Sequence, residues 1–271
     1  MKRRAAAAKI NLALVVGPRR EDGNHELVTV YQRIALADRI ELRLAHEKVV
    51  EGFPGDTLVG RALDALTAET GEHFRARIGK RIPVAAGLGG GSADAAAALQ
   101  LGDALTGNLI SERRLHELGS RLGADVPFFL CDGPQLGEAD GTVLSPLDLP
   151  QDYWILLLVP RSGAKTSTAD VYARFDDRDG ARGFAERNEA LRRGLAVVRR
   201  PRDLAALPPN DLASSPLSDA LIGLGAFRAD VTGAGTAVYG LFHHRAAAER
   251  AARALRSREC RSWLTVPAWY V

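Results

Sequence analysis

The sequence predicts an α+β protein of two domains, and three observations carry that expectation. Apolar and polar residues alternate in short stretches of the first third, as in half-buried strands. An alanine-rich stretch of helical character follows a run of glycines. Past Asp132 the texture turns to Gly, Pro and Asp, after which helical and strand-like segments alternate again. With 271 residues, the chain has room for one large domain or two of moderate size. The change of texture places a boundary near residue 149, giving domains 1–149 and 150–271.

Residues 9–14 open the pattern: Ile10, Leu12 and Leu14 recur at every second position and are expected on one strand face, with Lys9 and Asn11 on the other. Residues 39–44 alternate likewise, and 74–78 do so up to the break at Gly79. Between them Leu58, Ala62, Leu63, Leu66 and Thr70 repeat at a helical period, and Gly71 is the expected stop. Residues 92–101 read as a helix because the four alanines at 95–98 have the best intrinsic propensity and Ser92 is placed to cap the amino end. Ser111 is the cap of a further helix that carries Leu115, Leu118 and Leu122 on one stripe and stops at Gly123. Residues 153–159 read as a buried strand between Pro150 and Pro160. The remainder reads as helices over 181–199, 217–224 and 245–258 and strands over 237–242 and 262–266, without internal repeats.

Composition removes several function classes. An apolar share of 46% with 25% charged residues is that of an ordinary globular protein, and a net charge of +3 is too small a field to argue for nucleic acid. Cys131 and Cys260 have no CxxC spacing, so they read as plain thiols in a reduced, cytoplasmic compartment. The basic start Met1-Lys2-Arg3-Arg4 and its alanines imitate a signal peptide, but Lys9 and Asn11 interrupt the apolar stretch. The apolar run at 153–159 falls far short of the ~20 residues of a membrane-spanning helix, so no membrane partner is expected.

The chemistry concentrates in Pro83-Val84-Ala85-Ala86-Gly87-Leu88-Gly89-Gly90-Gly91-Ser92-Ala93-Asp94. Free N–H groups at a helix start, with no Cβ atoms to keep a ligand away, form a site for phosphate. The dinucleotide pattern GxGxxG fails because Ser92 takes the sixth place from Gly87, and the Walker pattern fails for want of Gly-Lys before Ser or Thr. A third kind of phosphate loop is expected, with Pro83, Ala86, Gly87, Leu88, Gly89, Gly90, Gly91 and Ser92 as its nucleotide-binding residues. The turn Val231-Thr232-Gly233-Ala234-Gly235-Thr236-Ala237-Val238 either closes on the same ligand through Gly233 and Gly235 or is a plain hairpin turn. His243 and His244 lack a carboxylate or cysteine at metal spacing and read as surface, so no metal ligand set is assigned.

Four segments, Ala8-Lys9-Ile10-Asn11-Leu12, Asp22-Gly23-Asn24-His25, Gly87 to Asp94 and Gly123-Ala124-Asp125-Val126-Pro127-Phe128-Phe129, together resemble the GHMP kinases. Their order and spacing are most similar to the branch acting on a cytidine diphosphate-linked methylerythritol. The resemblance implies an amino-terminal α/β domain like the second domain of ribosomal protein S5 and a ferredoxin-like α+β carboxy-terminal domain. It further implies phosphorylation of that substrate's 2-hydroxyl by ATP with Mg2+ in non-mevalonate isoprenoid precursor synthesis, by a monomer or homodimer.

By the same carry-over Asp125 is the base and Lys9 its charged neighbour, while Asn24 and His25 meet the cytidine end; Asn11, on the strand face of Lys9, is expected to bind and orient the substrate. Ser92 either contacts phosphate or its metal, or caps its helix. The sequence departs from the family in three places. Asn24 stands where tyrosine is usual, Thr57 where an asparagine often contacts adenine, and Glu138-Ala139-Asp140-Gly141 has one glycine fewer. Two alternatives therefore stand beside this reading: another small-alcohol kinase of the superfamily, and a non-catalytic nucleotide-binding member.

Overall fold

Two long strands, β1 (Lys2–Arg19) and β2 (His25–Ala45), pair antiparallel along nearly their whole length and form the spine of the structure. The computed structural model describes residues 1–161, 167–256 and 259–268. The alternating segments 9–14 and 39–44 are parts of these strands. β1 starts earlier than its alternation indicated, because the small side chains at its beginning accept close approach by α2 (Gly90–Leu105). Ala6, Ala93 and Ala97 share one core cluster.

β2 serves different neighbours at its two ends. Residues 29–31 pair with β5 (Gln135–Glu138), and residues 39–45 pair with β4 (His73–Gly79). With β3 (Val49–Glu51) and β6 (Val143–Pro146), the sheet runs β3-β4-β2-β5-β6, with β1 also on β2. α1 (Leu58–Thr70), α2, α3 (Glu112–Leu122) and α4 (Val126–Leu130) pack on it around Leu42, Leu63, Phe74, Leu99 and Phe128. Gly71 ends α1 in the left-handed region (φ 75°), and the Ser111 side chain accepts the Arg114 N–H at the start of α3, as expected. Ser92 does not cap α2: the helix starts two residues earlier, and its cap is Gly89 at φ 69°, a conformation glycine adopts without the Cβ penalty.

The second sheet contains β7 (Trp154–Pro160), β8 (Arg228–Val231), β9 (Val238–Phe242) and β10 (Cys260–Thr265), all antiparallel in the order β10-β7-β9-β8. That is the ferredoxin-like arrangement, in which the first crossover carries α5 (Thr168–Asp177), α6 (Phe184–Val197) and α7 (Pro216–Gly223) and the second carries α8 (Arg245–Ala254). The last two positions of the helix expected over 245–258, Ser257 and Arg258, lie outside the described residues. Leu156, Leu158 and Phe242 pack with Leu221 of α7 and Ala248 and Ala251 of α8.

Alternation along β7 and β9 sends Ile155, Leu157, Tyr239 and Leu241 the other way, into a core shared with Ile10 and Leu12 of β1. Leu14 does not share their face, contrary to the plain alternation. The register of β1 on β2 shifts between Asn11 and Ala13, so Ala13 and Val15 follow Ile10 and Leu12 into the shared core. Leu14 and Val16 instead meet Leu27, Val171 and Phe175. Among the described residues, no helix is long and apolar enough to cross a membrane.

Candidate active site

A cleft of about 1080 Å³ opens where β1, the glycine loop, the start of α4, α5 and the turn after β8 converge. Lys9, Asn11, Gly87, Gly89, Ser92, Asp125, Gly233 and Gly235 all line it. The alternation of β1 puts Lys9 and Asn11 side by side, and the Lys9 ammonium donates to Asn11 Oδ1 at 2.8 Å. Its Nζ also lies 3.5 Å from Asp125 Oδ2 and 5.7 Å from the Tyr31 ring centre. The lysine is 4% exposed, so its charge acts with weaker screening than a surface cation.

The orientation of Asn11 follows from its partners. Thr29 Oγ1 donates to the Ala13 carbonyl and so accepts from Asn11 Nδ2, at 2.8 Å. The amide oxygen is thereby turned to Lys9 and to the Thr232 hydroxyl, which donates to it at 3.2 Å. Asp125 sits at the cap position of α4, yet its carboxylate bonds to no N–H of that helix. One oxygen faces Lys9, and the other accepts the Tyr31 hydroxyl at 3.2 Å. Burial, followed by the charge of Asp125, raises Tyr31 well above the ordinary phenol value, so it stays a neutral donor.

The two glycine turns touch through their main chains. Ala237 N–H donates to the Ala86 carbonyl at 3.1 Å. A Cβ on Gly87, whose φ is 82°, would stand 2.2 Å from the Thr232 carbonyl oxygen, and one on Gly235 would stand 2.3 Å from Gly87 N. Side chains are excluded from both positions. Ala86 and Leu88 are buried behind the loop, and the Leu88 carbonyl accepts Lys9 N–H at 3.0 Å. Pro83, Gly90 and Gly91 line a smaller neighbouring pocket of about 140 Å³ with Phe53, Thr57, Leu58 and Lys80. The first N–H groups of α2 have no partner within the helix, which leaves the loop suited to anionic oxygen.

Both ends of that loop are tied to one buried ionic group. Lys80 Nζ lies 2.5 Å from Asp38 Oδ2 and 2.9 Å from Asp94 Oδ2. Asp38 Oδ1 also accepts the N–H groups of Arg81 and Ile82, just before the loop, while Asp94 belongs to the first turns of α2 just after it. Burial first, and then the charge of Asp38, pushes the Asp94 carboxyl up to about 7. For Lys80 burial opposes the charge, but its bonds to the two carboxylates outweigh this and raise it.

His25 is not among the residues that line the cleft: it is buried beside it, with Nε2 2.7 Å from Asp176 Oδ1 and its ring stacked on Tyr172 at 4.8 Å. The bond to His25, with added help from Arg19, holds the Asp176 carboxyl below its usual range. Tyr172 lines the cleft, and burial pushes its phenol up to about 12. Asn24 is exposed in the preceding turn and donates its N–H to Asp22 Oδ1. His243 and His244 are exposed, and among the described residues no group of three or more His, Cys, Asp or Glu could hold a metal ion.

Sequence reasoning missed Thr29, Tyr31, Tyr172, Asp176 and Thr232. The capping box of α5, Ser167 with Asp170, was a usable signal for the helix that brings Tyr172 and Asp176 to His25. Thr232 lies inside the second glycine turn, where the glycines carry the local signal and the hydroxyl's partner, Asn11, is distant in sequence.

Models of the GHMP kinases N terminal domain and GHMP kinases C terminal region match residues 57–133 and 213–261. A protein of Corynebacterium efficiens named 4-diphosphocytidyl-2-C-methyl-D-erythritol kinase is 40% identical over 79% of this chain and 73% of its own length. A protein of Geobacter sp. with the same name is 35% identical over 95% of both. A crystal structure of 4-(cytidine 5'-diphospho)-2C-methyl-D-erythritol kinase superposes with a TM-score of 0.80 and 31% identity, covering 98% of this chain and 99% of that one. The Methanococcus jannaschii mevalonate kinase has the same fold, with a TM-score of 0.78 at 13% identity over 98% of each chain.

Proposed function

This chain belongs to the 4-diphosphocytidyl-2-C-methyl-D-erythritol kinases of the GHMP kinase family, and from that membership we propose how its cleft performs the reaction. The chain is an ATP-dependent small-molecule kinase of isoprenoid precursor synthesis. Its acceptor is 4-diphosphocytidyl-2-C-methyl-D-erythritol, phosphorylated at the 2-hydroxyl. The convergence of Lys9, Asn11 and Asp125 with two interlocked glycine turns on one cleft carries this reading.

The nucleotide phosphates lie along the loop from Gly87 to Ser92, against main-chain N–H groups, with Gly233 and Gly235 closing the opposite side. Pro83, Gly90, Gly91 and Thr57 turn toward the adenosine end. The acceptor alcohol lies between Asp125 and the phosphates. As its oxygen attacks the γ-phosphorus, Asp125 takes the hydroxyl proton. Lys9 donates to the oxygens of the transferred group as charge shifts onto them. Asn11, with both ends of its amide spoken for, holds Lys9 in line. His25, fixed by Asp176 and Tyr172, presents its remaining ring nitrogen to the pyrimidine.

Mg2+ fits this donor set as a guest of the nucleotide: the cleft offers hard oxygen ligands such as Ser92 Oγ but, among the described residues, no cage of carboxylates. When bound, it neutralises phosphate charge. A division at 149/150 remains our proposal for the domain limits, between the end of β6 and the start of β7.

Purified protein given MgATP with the cytidylyl acceptor, homoserine or mevalonate tests the assignment. Turnover of the cytidylyl acceptor at least tenfold above the other two is expected. Faster turnover of either rival would make the chain another small-alcohol kinase, and binding of ATP without any transfer would make it a non-catalytic member.

A further inference from the structure

α4 has only five residues, Val126–Leu130. Helices this short do not hold themselves in water, because nucleation fixes several residues for one hydrogen bond. The helix nevertheless carries Asp125 at its start, so whatever anchors α4 also anchors that carboxylate.

Two residues of β2 supply the anchor. Tyr31 and Arg33 are two apart and share a strand face. Tyr31 stacks on the ring of Phe128 at 4.8 Å with the planes 26° apart, and its hydroxyl donates to Asp125 Oδ1 at 3.2 Å. Arg33 lies over the same Phe128 ring, 5.5 Å from its centre. Its Nη2 donates to the carbonyls of Phe128 at 3.4 Å, Phe129 at 3.3 Å and Cys131 at 2.6 Å. These are carbonyls at the carboxyl end of the helix, where intrahelical partners run out and a cation is favoured. Arg33 is 5% exposed; burial lowers its pKa, the charge of Asp132 acts against this, and its hydrogen bonds go to main-chain carbonyls. Keeping a guanidinium in that setting is costly unless its donors are occupied, so its attachment to the helix end is specific.

We propose that Tyr31 and Arg33 are positioning residues for Asp125, Tyr31 by fixing the carboxylate and Arg33 by fixing the far end of the helix that carries it. The proposal rests on Asp125 being the base. The other titratable groups facing this carboxylate and the Tyr31 hydroxyl are Lys9 on β1, Tyr172 on α5 and Asp140 in the β5–β6 turn.

Tyr31→Phe retains the ring stack and removes only the donor. Arg33→Lys retains the charge but loses the planar guanidinium that lies over Phe128 while its Nη2 reaches the carbonyls, and Arg33→Met removes both charge and donors. Each is measured for kcat, for KM of ATP and of the acceptor, and for melting temperature, alone and in an Asp125→Asn background. Small misplacements of reacting groups cost up to about 100-fold in rate, so we expect kcat to fall about 10-fold in Tyr31→Phe and about 10- to 100-fold in Arg33→Met. Arg33→Lys is expected to recover part of the loss. KM of ATP stays within about twofold while kcat falls, and neither residue matters once Asp125 is Asn.

If Arg33→Met does not fold, Tyr31→Phe and Arg33→Lys decide. Wild-type kcat in both, while Asp125→Asn shows its drop of about 10²- to 10⁴-fold, overturns the proposal. So does a full loss that persists in the Asp125→Asn background. An active Asp125→Asn single variant instead removes the base assignment itself.

Discussion

Lys9 Nζ stands 3.5 Å from Asp125 Oδ2 but only 2.8 Å from Asn11 Oδ1. The ammonium is held by the neutral amide and lies just beyond hydrogen-bond range of the carboxylate. Under the proposed assignment, that geometry leaves Asp125 free to take a proton from an alcohol while the cation remains nearby to receive developing negative charge.

Replacing Asp125 by Asn keeps the shape and removes the proton acceptor. General-base catalysis is worth about 10²- to 10⁴-fold, so kcat is expected to drop by about that factor. The dissociation constant of ATP should stay within about twofold of wild type, measured by titration calorimetry. Wild-type kcat would remove Asp125 from the chemistry.

Gly235→Ala tests the contact between the two turns. The added Cβ meets the main chain of Ala86 and Gly87 at 2.3 Å, and overpacking of this kind costs about 1–3 kcal/mol. A lower melting temperature and a KM for ATP raised several-fold are expected together. A KM unchanged despite a lowered melting temperature would separate this turn from the nucleotide site.

Asp176→Asn should raise KM of the cytidylyl acceptor about 10-fold while leaving KM of ATP alone, because the carboxylate fixes the ring orientation and tautomer of His25. Equal changes in both constants in steady-state kinetics would count against a role confined to the cytidine end.

Asp94 gives a pH signature in stability. Its carboxyl ordinarily titrates at 3.8 and stands at about 7 in the folded chain. Between those values the folded state holds a proton that the unfolded state has released, so its contribution is complete below about 4, declines as pH rises, and levels off above about 7. The melting temperature of wild type minus that of Asp94→Asn, followed from pH 4 to 8, should fall across that window. A flat difference would mean the group ionises normally when folded.

The sequence made legible what depends on local pattern. Residues 9–14 gave the facing of Lys9 and Asn11, Gly71 and Ser111 gave helix ends, and the glycines at 87–91 marked the phosphate loop. It misled where the backbone departs from regular geometry: the register shift after Asn11 turned Leu14 away, and the left-handed Gly89 replaced Ser92 as cap. Tyr31 and Arg33 gave no local signal, since in a long strand they look like any other residues. Their meaning comes from α4, almost a hundred positions later. The Asp38–Lys80–Asp94 group was hidden for the same reason.

The apolar layer that joins Ile10 and Leu12 to Ile155, Leu157 and Tyr239 has a consequence for how the enzyme can breathe. With oily side chains interleaved across the junction, rocking one half against the other would wet them. The same seam makes a gene split between β6 and β7 a poor source of self-sufficient fragments. Each piece would bare a greasy flank, and activity would return only when the two were produced together.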